Sequence, residues 1–279
     1  MSDPIVIVSA ARTPIGGLLG DFASLAAWEL GAVAIAAAVQ RAGIEGAEVE
    51  DVIMGCVSQA GQQAMQVGRN AVLAAKTLPQ HVPAVTIDRQ CGSSQQAIQF
   101  AAQAGMAGTM DIVIAAGVES MSRVPMGLPS TAAAKAGFGT YMSPNIQARY
   151  PGVQFSQFTG AEMIAKKYGM KREELDAFAL ESHKRAAAAT KAGAFAKEIV
   201  PVKVRMNDGT ETGEMHTADE GIRYDASPEG MAGVKLIVEG GVCTAASASQ
   251  ICDGAAGLMV VNERGLKTLG VKPLARVHH

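Results

Sequence analysis

The sequence predicts an α/β fold, with helices covering a mostly parallel sheet and an irregular segment inserted late in the chain. Three observations carry this expectation. From residue 4 to about 120, β-branched apolar runs alternate with Ala-rich helical stretches. The composition is 48% hydrophobic but only 4% aromatic, with 31 glycines, which suits small-residue helices packed closely on Val/Ile strands. Periodicity then fades over 121–160, returns in a long helix, and gives way to a second apolar run at Ala255–Val261. A chain of 279 residues suffices for a large core or two domains.

Taken in order, Ile5–Ala10 reads as the first strand, and Leu25–Ala42 as an Ala-rich helix stopped by Gly43. Asp51–Gly55 reads as a strand, Gln66–Ala75 as a helix and Val82–Ile87 as a short buried strand. A helix follows Cys91, and Asp111–Gly117 has the unbroken apolar character of a central parallel strand. Strands separated by helices imply βαβ units with right-handed crossovers. Residues 121–160 are rich in Gly, Pro, Ser, Thr and Met and read as a functional insertion. Lys171–Ala192 reads as an amphipathic helix burying Leu175, Phe178, Ala179, Ser182 and Ala186. Asn207–Gly230 is polar and turn-rich, and Ala255–Val261 is expected to rejoin the first sheet. The expected division is therefore one α/β domain from 1–120 and 240–270, with 121–239 as an inserted domain.

Several function classes drop out. The net charge of −2 is spread evenly, which argues against a nucleic-acid surface or a polybasic membrane patch. No apolar run has transmembrane length, and the N-terminus lacks the pattern of an export signal. Four widely spaced cysteines form no CxxC pair, so reduced thiols and a cytoplasmic location are expected, with no metal site. Gly16-Gly17-Leu18-Leu19-Gly20 follows a strand, but its spacing departs from the dinucleotide fingerprint and reads as a turn.

Cys91 is the main candidate for chemistry. It lies between the Val82–Ile87 strand and a helical stretch opening with Gly92-Ser93-Ser94. A sulfur at such a junction sits near the first free N–H groups of the helix, whose partial positive charge favours thiolate. Small residues beside it leave room for a substrate. Cys56, Cys243 and Cys252 lack this context and read as small buried hydrophobes. A thiolate nucleophile needs a base or a cationic neighbour. None of the histidines is evidently that partner, and His183 falls in the amphipathic helix, where a solvated or capping role is expected.

The run Asp88-Arg89-Gln90-Cys91-Gly92-Ser93-Ser94-Gln95-Gln96-Ala97-Ile98 resembles the nucleophile motif of the thiolases. Val8–Gly16, Ala116–Ser122, Gly160–Ala165, Phe195–Val202, Asp219–Arg223 and Thr244–Ala256 resemble further thiolase segments in the same order. The resemblance implies an acyl-CoA C-acyltransferase that cleaves or forms 3-ketoacyl-CoA, with acyl-CoA and coenzyme A as substrates and no resident cofactor. It implies a layered thiolase-like fold with a CoA-binding loop domain, assembled as a homodimer or homotetramer. Cys91 would carry the acyl group, Arg223 would meet the nucleotide phosphates of CoA, and Ser249 would contact its pantetheine arm. A guanidinium suits phosphate oxygens. Ser247, Gln250, Cys252 and the Ser156-Gln157-Phe158 stretch depart from the commonest pattern, in a way that resembles members acting on bulkier chains.

Thiolases also have a second half that supplies acid–base residues. The resemblance therefore implies that residues 271–279 begin a C-terminal half absent here, and that the stretch shown is inactive alone. Two rival readings are a ketosynthase-type condensing enzyme using carrier-bound acyl groups, and a half-enzyme serving as a binding or assembly module. The long CoA-binding segment argues against the first.

Overall fold

A computed structural model describes residues 4–206 and 208–278. His279, the last residue of the expected 271–279 segment, lies outside them, as does Asn207. The chain forms two compact units. The first comprises 1–129, 197–220 and 252–279; the second comprises 130–196 and 221–251.

The first unit is built on a mixed sheet. Its elements begin with β1 (Val6–Arg12), β2 (Gly16–Gly17), helix α1 (Ala27–Ala42), β3 (Asp51–Gly55), α2 (Val67–Ala74), β4 (Ala84–Ile87), α3 (Ser93–Ala107) and β5 (Ile112–Ser120). Gly43 ends α1 in the left-handed conformation, as its sequence position predicts. The sheet order is β4-β3-β5-β8-β1-β9, once β8 (Cys252–Val261) and β9 (Ala275–Arg276) are included. β3 runs parallel to both β4 and β5, whereas β8 is antiparallel to β5 and β1. Thus β1, β3, β4 and β5 share one direction and β8 opposes them. The Ala255–Val261 run does rejoin the sheet, and it takes a central place rather than an edge.

Both faces of this sheet are covered, which explains the unbroken apolar strands. Ile112, Ile114 and Ala116 of β5 pack with Leu30, Ala34 and Ile35 of α1 in one core cluster. Val113 and Ala115, one residue out of phase, join Ala97, Ala101 and Ala102 of α3 in another. A strand's period of two sends alternate residues to opposite faces, so neither set reaches water.

The second unit carries α4 (Leu128–Lys135, whose first two residues belong to the first unit), α5 (Pro144–Arg149), α6 (Gln157–Tyr168), α7 (Arg172–Lys191) and α8 (Pro228–Ala232). Three short helices thus begin within 121–160, where composition suggested only loop. They escape notice because little of their surface is buried, so no apolar stripe marks them. The expected stripe on α7 is out of phase. Phe178 is 81% exposed, and the buried residue is Leu180.

The units also divide the chain differently from the expected 121–239 insertion. Residues 197–220, with the hairpin β6 (Val202–Arg205) and β7 (Glu211–His216), belong to the first unit. The Arg12 guanidinium holds Asp219 by two hydrogen bonds, 2.8 and 3.0 Å, and Glu198 by a third of 2.9 Å. Arg41 donates to the carbonyls of Lys197, Glu198 and Ile199. Charged side chains on backbone make this attachment, and hydrophobic patterning does not report it. Residues 240–251 fall in the second unit for the same reason, since the Glu162 carboxylate receives the N–H groups of Val242 and Cys243.

Candidate active site

Cys91 sits at an exposed elbow between β4 and α3. The turn is made from its own residues. Asp88 accepts the Gln90 N–H at 2.7 Å, and Gln90 adopts a left-handed φ of 49°. A non-glycine residue held there signals strain that the surroundings must enforce. The enforcement comes from Ser93, whose hydroxyl accepts the Arg89 N–H at 2.9 Å and donates to the Gln90 carbonyl at 2.6 Å. Arg89 in turn reaches Gln96 one turn along the helix, at 2.6 Å. The result places Cys91 two residues ahead of α3, at the positive end of its macrodipole, while the N–H groups of Gly92 and Ser93 are held by the Arg89 and Gln90 carbonyls at 3.1 and 3.0 Å.

Two glycines bring this elbow onto the sheet. A side chain at Gly55, the last residue of β3, would strike the backbone at Ser93 and Ser94. One at Gly117, its partner on β5, would strike the Ser94 side chain. Only bare backbone at this pair, Gly55 at the end of β3 and Gly117 within β5, lets α3 start so close to the sheet. The nucleophile candidate thereby stands at the C-terminal ends of parallel strands, the usual location of sites in open α/β sheets.

Beneath the elbow is a polar bracket that sequence reasoning did not identify. Glu119 accepts the N–H groups of Val57 and Ser58, at 2.8 and 3.2 Å, and the Gln63 carboxamide at 2.8 Å. Gln63, fully buried, also donates to the Ser58 carbonyl and accepts the Ser120 N–H at 2.7 Å. This ties the loop after β3 to the end of β5. Glu119 stood within a segment of recognisable pattern; Gln63 lay in a polar stretch with no signal. Cys56 borders the same region and is sealed. Burial, with Glu119 and Asp88 adding, pushes its thiol up to about 12. Two cysteines near one turn therefore differ sharply, one open and one inert.

Arg223 and Ser249 are both exposed and belong to the second unit. The structure brings their segments together there. Gln250 donates to the Gly221 carbonyl at 2.5 Å, and the Arg223 N–H donates to His183 Nδ1 at 3.2 Å. Upstream of Ser249, Thr244 and Ser247 bond reciprocally through hydroxyls and backbone N–H groups, fixing the turn. Glu162 anchors the irregular segment entering that turn. Burial opposes its ionisation, but the N–H groups of Cys243 and Val242 prevail and hold its carboxyl below the ordinary range.

Other features of the first unit lie apart from the elbow. Gly16 and Gly17 form a short strand pairing with β8, with Glu220 accepting the Gly17 N–H, and the expected turn follows them, closed by the Gly20 N–H on the Gly17 carbonyl at 2.9 Å. Asp21, His216 and Glu220 place ligand-type atoms within 4.8 Å of one another, a cluster invisible in the sequence because 195 or more residues separate its ends. His216 Nδ1 is paired with Asp21 at 2.7 Å, and its ring stacks edge-on against Phe22. A groove of about 450 Å³ between α1 and the β6–β7 hairpin is lined by Trp28, Val33, Val202 and Met215 among others. Its Arg205 and Lys203 are already paired, with Glu29 and Glu211.

An exposed cysteine at a strained strand-to-helix elbow, on a two-faced α/β sheet, defines a nucleophile-elbow architecture. Comparison with known proteins places it more narrowly. Residues 5–264 match the family model described as the thiolase N-terminal domain. The steroid 3-ketoacyl-CoA thiolase FadA6 of Mycobacterium tuberculosis is 44% identical over 275 residues, covering 98% of this chain and 65% of that protein. An acetyl-CoA acetyltransferase of Cupriavidus necator is 41% identical (98% of this chain, 70% of the relative), and a beta-ketoadipyl-CoA thiolase of Acinetobacter baylyi 40% (97% and 69%). The chain belongs to the thiolase family. It spans about two thirds of the length of these relatives.

Proposed function

We propose that the protein is an acyl-CoA C-acyltransferase acting on 3-ketoacyl-CoA through a thioester on Cys91. The observation that carries the reading is the exposure of Cys91 at the start of α3, on the family-matched scaffold. In the degradative direction the Cys91 thiolate attacks the 3-keto carbon, and that carbonyl becomes an oxyanion. The positive end of the α3 macrodipole favours it. Collapse breaks the bond between C2 and C3. The electron pair leaves on C2 as an acetyl-CoA carbanion, which takes up a proton to give acetyl-CoA. The acyl group stays on sulfur until the thiolate of free CoA attacks its carbonyl and expels Cys91. Synthesis is the reverse, with acetyl-CoA as the carbon nucleophile.

Arg223 and Ser249 serve CoA in this reading, the first through its phosphates and the second through its pantetheine arm. Coenzyme A is a substrate, and the cycle calls for no resident cofactor. The finer class is acetyl-CoA C-acetyltransferase or acetyl-CoA C-acyltransferase. The steroid thiolase among the relatives supports a bulky acyl chain. A cytoplasmic location fits the four free thiols, and a homodimer or homotetramer is the assembly the family resemblance implies.

The test is direct. Full-length protein, with the second half that the family resemblance implies, is expected on incubation with acetyl-CoA to yield a peptide acetylated at Cys91, detected by mass spectrometry. Cys91→Ala in it is expected to lower thiolysis of acetoacetyl-CoA by at least about 10³-fold; residues 1–279 alone are expected to show little thiolysis. Unchanged turnover in that variant would sink the proposal.

A further inference from the structure

Segment Gly221–Arg223 has no regular secondary structure, yet it is gripped at both ends within the second unit. At one end the Gln250 carboxamide donates to the Gly221 carbonyl at 2.5 Å. Any side chain at Gly221 would overlap that carboxamide, so the close approach depends on glycine there. At the other end the Arg223 N–H donates to Nδ1 of His183, on α7, at 3.2 Å. Nδ1 is thus the unprotonated ring nitrogen. Between these two grips the backbone has little freedom to rotate, and the Arg223 carbonyl is also committed, accepting the Ala226 N–H at 3.3 Å.

The Arg223 side chain is in the opposite condition. It is exposed, and its guanidinium has no hydrogen-bond partner among the described residues. Neighbouring arginines of the unit are engaged, Arg172 with Asp176 and Arg185 with Glu181. A cation left open on a backbone pinned at both sides is pre-organised for an anion, because the cost of ordering the segment is met before the ligand arrives.

We propose that His183 and Gln250 are positioning residues that clamp Gly221–Arg223 and so set the direction of the Arg223 guanidinium toward the phosphates of coenzyme A. The inference rests on the CoA role proposed above for Arg223. It adds that the affinity of that arm is controlled by two residues that need not touch the ligand.

The experiment compares binding of CoA and of pantetheine, which lacks every phosphate, by calorimetry. His183→Leu removes the acceptor, Gln250→Ala removes the donor, and His183→Asn keeps an acceptor near the place of Nδ1. Loss of either grip is expected to weaken CoA binding by about fivefold, the scale of one net hydrogen bond. Pantetheine binding is expected to stay at the wild-type level, and His183→Asn to restore most of the CoA affinity. The clamp is overturned if wild-type protein binds CoA and both disruptive variants bind it equally well. It is also overturned if CoA and pantetheine weaken in parallel, which is the mark of general loosening. Wild-type protein that binds neither ligand overturns the clamp together with the CoA reading beneath it.

Discussion

The two units of this protein are held together by different physics. In the first, strands and helices bury Leu30, Ile35, Val52, Met54, Ile114 and Met259 completely in the core on one face of the sheet, and Ile53, Ala97, Val113 and Ala115 in the core on the other. In the second, the buried apolar residues among those described are Ala165, Leu180 and Met231. Its irregular segments are tied down by side chains that bond to backbone. Arg172 donates to the carbonyls of Met231, Ala232 and Val234 at 2.7–3.0 Å. Glu162, Gln250 and His183 make comparable attachments. Hydrophobic burial is non-directional and tolerates some sliding, whereas a donor fixed to a particular carbonyl sets one conformation of a loop. A scaffold can rely on the first; a surface that presents Arg223 and Ser249 to coenzyme A, as proposed, gains from the second.

The contrast is open to attack from several sides. Ile114→Ala leaves a cavity between β5 and α1 and is expected to cost about 3 kcal/mol in chemical denaturation. A loss under about 1 kcal/mol would mean that the first unit is not governed by its core. Arg172→Met keeps the stem but leaves three carbonyls without their donor, and about 1–3 kcal/mol of local stability is expected to go. Hydrogen exchange should locate that loss at residues 228–236 and leave β5 amides protected. Uniform deprotection across both units would contradict the distinction.

The acid limb of stability separates the units further. Glu162 has a folded-state pKa below its unfolded value, so its contribution is complete above the unfolded value and is lost as pH falls through the folded one. Exchange at the Val242 and Cys243 amides is therefore expected to accelerate, relative to the intrinsic rate, as pH falls below the ordinary carboxylate range. Glu162→Gln should remove that pH dependence. Burial and the Glu162 carboxylate both raise the Cys243 thiol, so the same variant should also quicken Cys243 alkylation at fixed pH. The smallest test is one of order. Iodoacetamide near neutral pH should modify the exposed Cys91 well before Cys56, whose thiol is pushed up to about 12. Equal rates would show that the elbow is no more open than the interior.

Most of the first unit was legible beforehand because each of its signals is local. The β5 run is apolar without interruption, and it is covered on both faces. Gly43 follows an Ala-rich stretch, and it ends α1. Cys91 lies between a β-branched run and small residues, and it occupies an exposed elbow. The second unit was read less well. The helices beginning in 121–160 carry no apolar stripe, and α7 turns Leu180 inward and Phe178 outward. Where burial is slight, periodicity has nothing to record.

By itself, the sequence determined which segments become strands and helices in the α/β scaffold, where the Cys91 elbow falls, and which family the chain belongs to. Those properties follow from spacing over a few residues, or from motifs in a fixed order. Only the tertiary structure decided that β8 enters the sheet antiparallel at its centre, that 197–220 joins the first unit, and that Gln63 supports Glu119. It alone decided that His183 and Gln250 grip one short segment. Each of these depends on polar groups far apart in the chain meeting at hydrogen-bond distance, and a single donor aimed at a remote carbonyl leaves no period or composition to be read in advance.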